Sequence, residues 1–186
     1  RPTPAEVTAE SRRILDVLLG THGARELVTN EQLRTHVIAV RSRLPVASDS
    51  RWPLSAGLGA AAATNAVARG LLALFFQRVV FSVGPPGLHI HGFGTREVAH
   101  DELNLLDALI ASGSIPLVMA GIVDIAGAPR GRYRDGGIID YHFDFRFASR
   151  PGLTLYPHFF RHVTPGWFDK ALRWRGPTRS ALDRVV

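Results

Sequence analysis

The 186-residue chain contains no cysteine, one methionine and one lysine. Without cysteine it can form neither a disulfide framework nor a thiolate metal site. Lys170 is the single lysine among 22 basic residues, so the other 21 are arginine. The net charge is +6, but no basic run is interleaved with aromatic residues as a nucleic-acid platform requires. We therefore expect no nucleic-acid partner.

The chain also lacks a clean apolar run of the roughly 20 residues that a membrane span needs. The stretch from Leu54 to Phe76 comes closest, but Asn65 and Arg69 interrupt it. We interpret this stretch as one or two core helices. The alternative is a lipid-facing cap, because apolar side chains cluster near its end, at Leu71, Leu72, Leu74, Phe75 and Phe76.

Apolar residues make up 46% of the chain and charged residues 20%, which is typical of a globular protein. Three continuous apolar runs, Thr35–Val40, Arg78–Val83 and Ile115–Met119, predict strands buried on both faces. Amphipathic patterns predict helices over Ala5–Leu19 and Asp101–Ala111. The alternation indicates an α/β fold with a mainly parallel sheet flanked by helices.

No internal repeat or linker divides the sequence, so we predict that residues 1–186 form part of a single domain.

Two alternating patterns contain residues that can bind metals. His89 and His91 lie two apart, and so do Asp140, His142 and Asp144. On a strand, this spacing places the polar side chains on one face. They are either ligands of a divalent cation or the polar face of a half-exposed strand. We favour the second interpretation, with no metal site.

The segment Tyr133-Arg134-Asp135-Gly136-Gly137 contains the best candidate for a chemical group. Glycine accepts positive φ angles, so the pair after Asp135 allows a sharp turn directly after a carboxylate. A carboxylate at a strand end beside such a turn is well placed to face a cleft. The alternative is an ordinary Asp-Gly turn, which has no chemical role.

The run Leu105-Leu106-Asp107-Ala108-Leu109-Ile110-Ala111-Ser112-Gly113-Ser114-Ile115-Pro116, followed by this Asp-Gly-Gly segment, resembles the C-terminal half of patatin-like phospholipases. The resemblance spans about residues 35–156. It implies a patatin-like Ser–Asp acyl hydrolase fold, in which Asp135 is the dyad carboxylate and Gly136 and Gly137 support it. It also implies lipid acyl ester substrates, no cofactor, and a cytoplasmic location or peripheral contact with a membrane.

The family's nucleophile motif, Gly-x-Ser-x-Gly, does not occur in these residues. The nearest segment, Pro53-Leu54-Ser55-Ala56-Gly57, has proline in place of the first glycine, which serves close packing at the strained elbow. The glycine-rich oxyanion loop is also missing. We therefore expect the incomplete C-terminal part of a hydrolase domain, inactive alone, with its nucleophile upstream of Arg1. The alternative is a non-catalytic α/β binding or interaction module with a hydrolase-like fold.

Overall fold

The computed structural model describes residues 1–84, 90–145, 154–157 and 161–178. Its α-helices within these ranges are α1 (Pro4–Leu19), α2 (Gly23–Thr29), α3 (Arg51–Val67), α4 (Leu105–Ser112) and α5 (Gly137–Asp140). Two 3-10 helices accompany them, the first over Arg69–Leu74 and the second over Trp167–Ala171.

Local sequence explains where α1 begins and ends. The Thr3 side chain accepts a hydrogen bond from the Glu6 backbone N–H, and the Glu6 carboxylate accepts one from the Thr3 N–H. This reciprocal capping satisfies two backbone donors at the start of the helix. Gly20 ends α1 at a φ of 58°, which glycine adopts without strain. The predicted helix over Ala5–Leu19 is therefore confirmed.

One five-stranded sheet organises the described part of the chain. Its strands are β1 (His36–Ser42), β2 (Phe76–Ser82), β3 (Arg96–Ala99), β4 (Ile122–Val123) and β5 (Arg132–Asp135). They lie in the order β3-β2-β1-β5-β4. Strands β1 and β2 are central or next to the centre, which confirms the strand predictions for Thr35–Val40 and Arg78–Val83.

The sheet is mixed and mostly antiparallel, so the prediction of a mainly parallel sheet is wrong. Strand β1 runs antiparallel to both β2 and β5, and β4 runs antiparallel to β5. Only β2 and β3, among the described strands, are parallel. Continuous apolar runs report burial on both faces of a strand and not the direction of its neighbours. Every residue of β2 is buried, although one of its neighbours is antiparallel and the other parallel.

Helices cover the sheet on both faces, as the α/β prediction requires. On one face, Ala39, Val79 and Phe81 pack with Ala108 and Ala111 of α4. On the other face, neighbouring strand residues pack with α3 and the first 3-10 helix, through a cluster that includes Val40, Phe76, Leu54, Leu58 and Leu72. The alternation of strand side chains between the two clusters follows from the two-residue period of a strand.

One local prediction is wrong, and another is confirmed only in part. Ile115–Met119 forms turns instead of a strand, with Leu117 at a φ of 69°. The helix predicted from Asp101 begins four residues later, at Leu105, because the Asp101 carboxylate accepts hydrogen bonds from the N–H groups of Leu103 and Asn104. Such local bonds compete with helix formation.

The stretch from Leu54 to Phe76 contributes to α3 and the first 3-10 helix before β2 begins, as predicted. Leu72, Phe75 and Phe76 of the possible lipid-facing cap are in the core, while Leu71 and Leu74 are exposed. The cap interpretation therefore fails for three of its five residues. No helix within the described ranges is long and apolar enough to cross a membrane.

Candidate functional site

Asp135 is the last residue of β5, opposite Ala39 of β1. Paired residues of neighbouring strands share a face, so the carboxylate lies on the α4 side of the sheet. The Asp135 N–H donates to the Ser114 carbonyl at 3.2 Å, which joins the strand end to the segment following α4. The structure thus brings together the two sequence blocks that carry the patatin-like resemblance.

Gly136 is required for space and not for a positive φ, which corrects the expectation from sequence. Its φ is −60°, and α5 begins directly after it. A Cβ atom at this position would lie 2.3 Å from the Ile38 carbonyl oxygen. At Gly137 a Cβ would lie 3.0 Å from Asp135 Oδ1 and 3.5 Å from Tyr141 Cδ2. The glycine pair therefore lets β5 run close to β1 and turn into α5 beside the carboxylate.

The two oxygens of Asp135 have different surroundings. Oδ1 accepts a hydrogen bond from the Gly137 N–H at 2.7 Å, which is the geometry of an Asp-Gly turn. Oδ2 accepts no hydrogen bond from the described residues and is not completely buried. Among the described residues, nothing therefore occupies the acceptor positions of Oδ2.

Partial burial raises the pKa of the Asp135 carboxyl above its ordinary value. The hydrogen bond from the Gly137 N–H and the positive charge of Lys170 each lower the same pKa and offset part of this effect. A carboxylate whose charged form is destabilised by desolvation is a stronger base than one in water.

The arginines next to Asp135 in sequence do not neutralise it. Arg132 and Arg134 point to the other face of β5, where both form ion pairs with Asp49. The Arg134 side chain is fully buried in that pair. The Asp135 carboxylate therefore stays free of an arginine partner among the described residues.

No serine within the described ranges donates a hydrogen bond to Asp135. The hydroxyls of Ser112 and Ser114 donate instead to the carbonyls of Leu109 and Ile110, at 2.8 Å each. Ser55 belongs to α3, which packs on the opposite face of the sheet. A nucleophile for Asp135 is thus missing from the described residues.

An exposed apolar segment follows Ser114 beside the carboxylate. Ile115, Leu117 and Val118 are 45%, 45% and 51% exposed. Because the Asp135 N–H bonds to the Ser114 carbonyl, this segment starts next to the end of β5. The carboxylate therefore lies at the border between polar backbone and open apolar surface.

The second alternating pattern does not form a strand face, so that interpretation is wrong. Asp140 ends α5 and is buried, where Arg78 Nε and Nη2 donate to its two oxygens at 2.6 Å each. His142 is also buried, and its Nδ1 accepts the Thr164 N–H at 2.7 Å. His89 lies outside the described residues. Across the described ranges, no group of three or more His, Cys, Asp or Glu side chains is placed to hold a metal ion.

A polar cavity of about 490 Å³ opens at the far end of β1 and β2. Arg43, Gln77, Thr95 and Arg96 line it, together with residues 90–92 and Gly94. Arg96 belongs to β3, and strands β2 and β1 lie between β3 and β5, which carries Asp135. This cavity is therefore separate from the carboxylate.

No protein-family model, curated protein or solved structure matches this chain. The geometry around Asp135 therefore carries the functional argument by itself.

Sequence reasoning missed the residues that complete the surroundings of Asp135. Tyr141 lies near the turn, with its Cδ2 3.5 Å from the position of a Cβ at Gly137, and the Lys170 ammonium lies 3.7 Å from the centroid of the Tyr141 ring. In the sequence, Lys170 is notable only because it is the single lysine. The sequence distance of 35 residues between Asp135 and Lys170 leaves no local pattern to connect them.

Proposed function

We propose that this chain is part of a patatin-like lipid acyl ester hydrolase and supplies the aspartate of its Ser–Asp dyad. Asp135 is the general base. The observation that carries the proposal is the partly buried carboxylate at the end of β5, with one oxygen fixed by a backbone N–H and the other without a donor among the described residues.

In this mechanism the serine hydroxyl binds at the open oxygen of Asp135. As the serine oxygen attacks the ester carbonyl, its proton passes to Oδ2. The Gly137 N–H holds Oδ1, so the carboxylate cannot rotate away from the serine. When the alcohol leaves, the same proton protonates it, and Asp135 then activates water to hydrolyse the acyl-enzyme. No cofactor enters these steps.

The exposed apolar side chains of Ile115, Leu117 and Val118 support a lipid substrate. They follow Ser114, whose carbonyl accepts the Asp135 N–H, so in this proposal the acyl chain packs along them. Apolar surface next to a catalytic carboxylate favours acyl esters over charged substrates. Contact with a lipid surface at this edge would bring such esters to the site.

The serine and the oxyanion loop must come from outside the described residues, because none of these offers a nucleophile to Asp135. We propose that a preceding segment with a Gly-x-Ser-x-Gly elbow supplies them. The rival function is a non-catalytic module, in which Asp135 serves only as the turn acceptor for the Gly137 N–H.

The test begins with the reading frame upstream of Arg1. If a glycine-rich loop and Gly-x-Ser-x-Gly precede it, the longer polypeptide should hydrolyse p-nitrophenyl esters. Asp135→Asn in that polypeptide should lower kcat/KM by about 10²- to 10⁴-fold, because the amide cannot accept the proton. A reading frame that begins near Arg1 would instead support the module.

Asp124→Asn is the matched control. Asp124 directly follows β4, where its carboxylate accepts the Gly131 N–H at 2.7 Å, and an asparagine can accept the same bond. Asp124 also has a φ of 53°, which asparagine tolerates. We expect kcat/KM of this variant to stay within about twofold of wild type, because Asp124 takes no part in the proton transfer. If Asp135→Asn and Asp124→Asn have the same kcat/KM, the role of Asp135 as the base is refuted.

A further inference from the structure

The polar cavity of about 490 Å³ at β2 and β3 is positively charged. Two arginines, Arg43 and Arg96, line it, and none of its described lining residues is acidic. Neither guanidinium forms an ion pair with a carboxylate of the described residues. Glu97 follows Arg96 in β3, but successive strand residues point to opposite faces of the sheet. The cavity therefore holds positive charge that no described acidic side chain neutralises.

Arg43 is held in place at the wall of this cavity. Its backbone N–H donates to the Phe75 carbonyl at 2.7 Å, and its Nη1 donates to the Ala73 carbonyl at 2.7 Å. Nη2 donates to no described residue. A Cβ at Gly94 would lie 3.7 Å from Nη2, so the glycine places no side chain next to this nitrogen. Because the guanidinium is already ordered, a ligand loses little affinity to ordering it.

The floor of the cavity is shaped by contacts within the protein. Gln77 is buried, and its Nε2 donates to the Gly94 carbonyl at 2.8 Å. The Thr95 hydroxyl donates to the Gly92 carbonyl at 2.6 Å and accepts from Arg78 Nη1 at 3.1 Å. Gly92 and Gly94 have φ angles of 86° and 57°, which glycine adopts without strain. These contacts fix the loop before β3, so the cavity is pre-formed, as small-molecule sites usually are.

Other arginines near this loop are already engaged. The guanidiniums of Arg69 and Arg78 each lie 5.0 Å from the centroid of the Phe93 ring. Both also contact the buried Asp140 carboxylate, Arg78 at 2.6 Å and Arg69 at 4.0 Å. The two arginines of the cavity wall are thus the ones left to bind a ligand.

We propose that this cavity is a binding site for a phosphomonoester, whose phosphate group lies between the Arg43 and Arg96 guanidiniums. A guanidinium binds a phosphate group through two parallel hydrogen bonds. A phosphomonoester has a charge of about −1.5 to −2 at pH 7, which matches two arginines, whereas a carboxylate neutralises only one. The cavity volume is within the range of small-molecule sites, about 300–1,000 Å³, so it accommodates an organic group beyond the phosphate. This site is separate from Asp135, and its assignment does not rest on the proposed function.

An NMR titration of the 186-residue polypeptide with phenyl phosphate tests this assignment. Ionic strength is held constant with sodium chloride, so that charge screening stays the same. The amide signals of Gly92 and Gly94 should shift and saturate. Arg96→Gln should raise the dissociation constant by about 10-fold or more, because it removes charge-assisted hydrogen bonds to the phosphate.

The matched control is Arg25→Gln, which removes one exposed positive charge from α2, outside the described cavity lining. Its dissociation constant should stay within about twofold of wild type. Arg43→Lys keeps the charge but loses the planar fork, so its affinity should lie between those of wild type and Arg96→Gln. If the Arg43 variant fails to fold, Arg96→Gln still decides the test, because Arg96 is exposed on β3 at the end of the strand order.

Wild-type signals that show no saturable shift would overturn the proposal. An equal loss of affinity in Arg25→Gln and Arg96→Gln would do the same, because it would show general charge attraction without a site. So would an affinity of Arg96→Gln equal to that of wild type.

A second ligand, benzoate, tests the choice of a phosphate group. Benzoate carries a single negative charge, so it should bind at least about 10-fold more weakly than phenyl phosphate. Equal affinities for the two ligands would overturn the phosphate assignment.

Phosphomonoesters occur both as soluble compounds and in the head group of phosphatidic acid. Flotation with phosphatidylcholine vesicles that contain phosphatidic acid distinguishes these sources. Vesicle binding that Arg96→Gln abolishes would assign the site to a lipid head group. Binding of phenyl phosphate without binding to the vesicles would assign it to a soluble ester, and both results support a phosphomonoester site in this cavity.

Discussion

A methyl group at Gly136 would meet the backbone of β1 at the point where β5 ends. In Gly136→Ala the new Cβ would lie 2.3 Å from the Ile38 carbonyl oxygen and 2.9 Å from the Ile38 carbonyl carbon. Ordinary contacts to an oxygen are about 3.2 Å or longer, so the strand end has to move by roughly 1 Å. Because both clashing atoms are backbone, no side-chain rotation relieves them.

We expect Gly136→Ala to lower the free energy of unfolding by about 2–3 kcal/mol, at the upper end for an overpacked site. For a chain of this length that corresponds to a fall in Tm of roughly 4–12 °C. The backbone shift should also weaken the bond from the Asp135 N–H to the Ser114 carbonyl.

Urea unfolding followed by circular dichroism measures this change as a lower midpoint at unchanged m-value. Gly59→Ala is the matched control, since Gly59 lies within α3 and its new methyl group would have no other atom within 4 Å. Alanine favours the helix there by about 0.5–1 kcal/mol, so this control should be more stable than wild type. A Gly136→Ala protein within about 0.5 kcal/mol of wild type, the usual range of a harmless surface substitution, would refute the close approach of β5 to β1.

Three further predictions concern the contacts described above. Arg78→Met should destabilise the protein by about 3–5 kcal/mol in urea unfolding, because it leaves the Asp140 carboxylate buried without its partner. Adding Asp140→Leu should recover part of that loss, and a double variant whose two effects are strictly additive would contradict the pairing. Asp135→Asn should raise stability at pH 7, because burial raises the Asp135 pKa in the folded state and the wild-type protein therefore loses stability as pH rises from the ordinary carboxyl pKa to the folded-state value. In urea unfolding the difference should vanish below the ordinary pKa, and a variant less stable than wild type at pH 7 would count against it. The 186-residue polypeptide should neither hydrolyse p-nitrophenyl esters nor react stoichiometrically with a fluorophosphonate probe, and labelling of Ser55, Ser112 or Ser114 would show that the nucleophile is within this chain.

Much of the fold is predictable because burial leaves a strong pattern in sequence. The apolar runs of β1 and β2 and the amphipathic pattern of α1 identify those elements correctly. Strand direction is not predictable from the same runs, because an apolar residue in β2 packs equally well beside an antiparallel or a parallel neighbour. The segment Ile115–Met119 is also apolar, but burial does not explain its composition, because much of it is exposed beside Asp135.

The candidate site is predictable in part. Asp135 stands out in the sequence because it precedes two glycines. The need for glycine at position 136 is visible only in the structure, where the Ile38 carbonyl leaves no space for a side chain. The contact of Lys170 with Tyr141 and the buried pair of Arg78 and Asp140 join residues that are 29 and 62 positions apart. Such contacts leave no periodic signal in a single sequence.

The measurement that tests the central claim most directly is the rate of serine phosphonylation by a fluorophosphonate in the polypeptide extended through its Gly-x-Ser-x-Gly segment. This rate reports activation of the nucleophile without requiring that a lipid bind. If Asp135 is the base, Asp135→Asn should slow labelling by about 10²-fold or more, while Asp124→Asn labels at the wild-type rate. Labelling of folded Asp135→Asn at the wild-type rate would contradict the account.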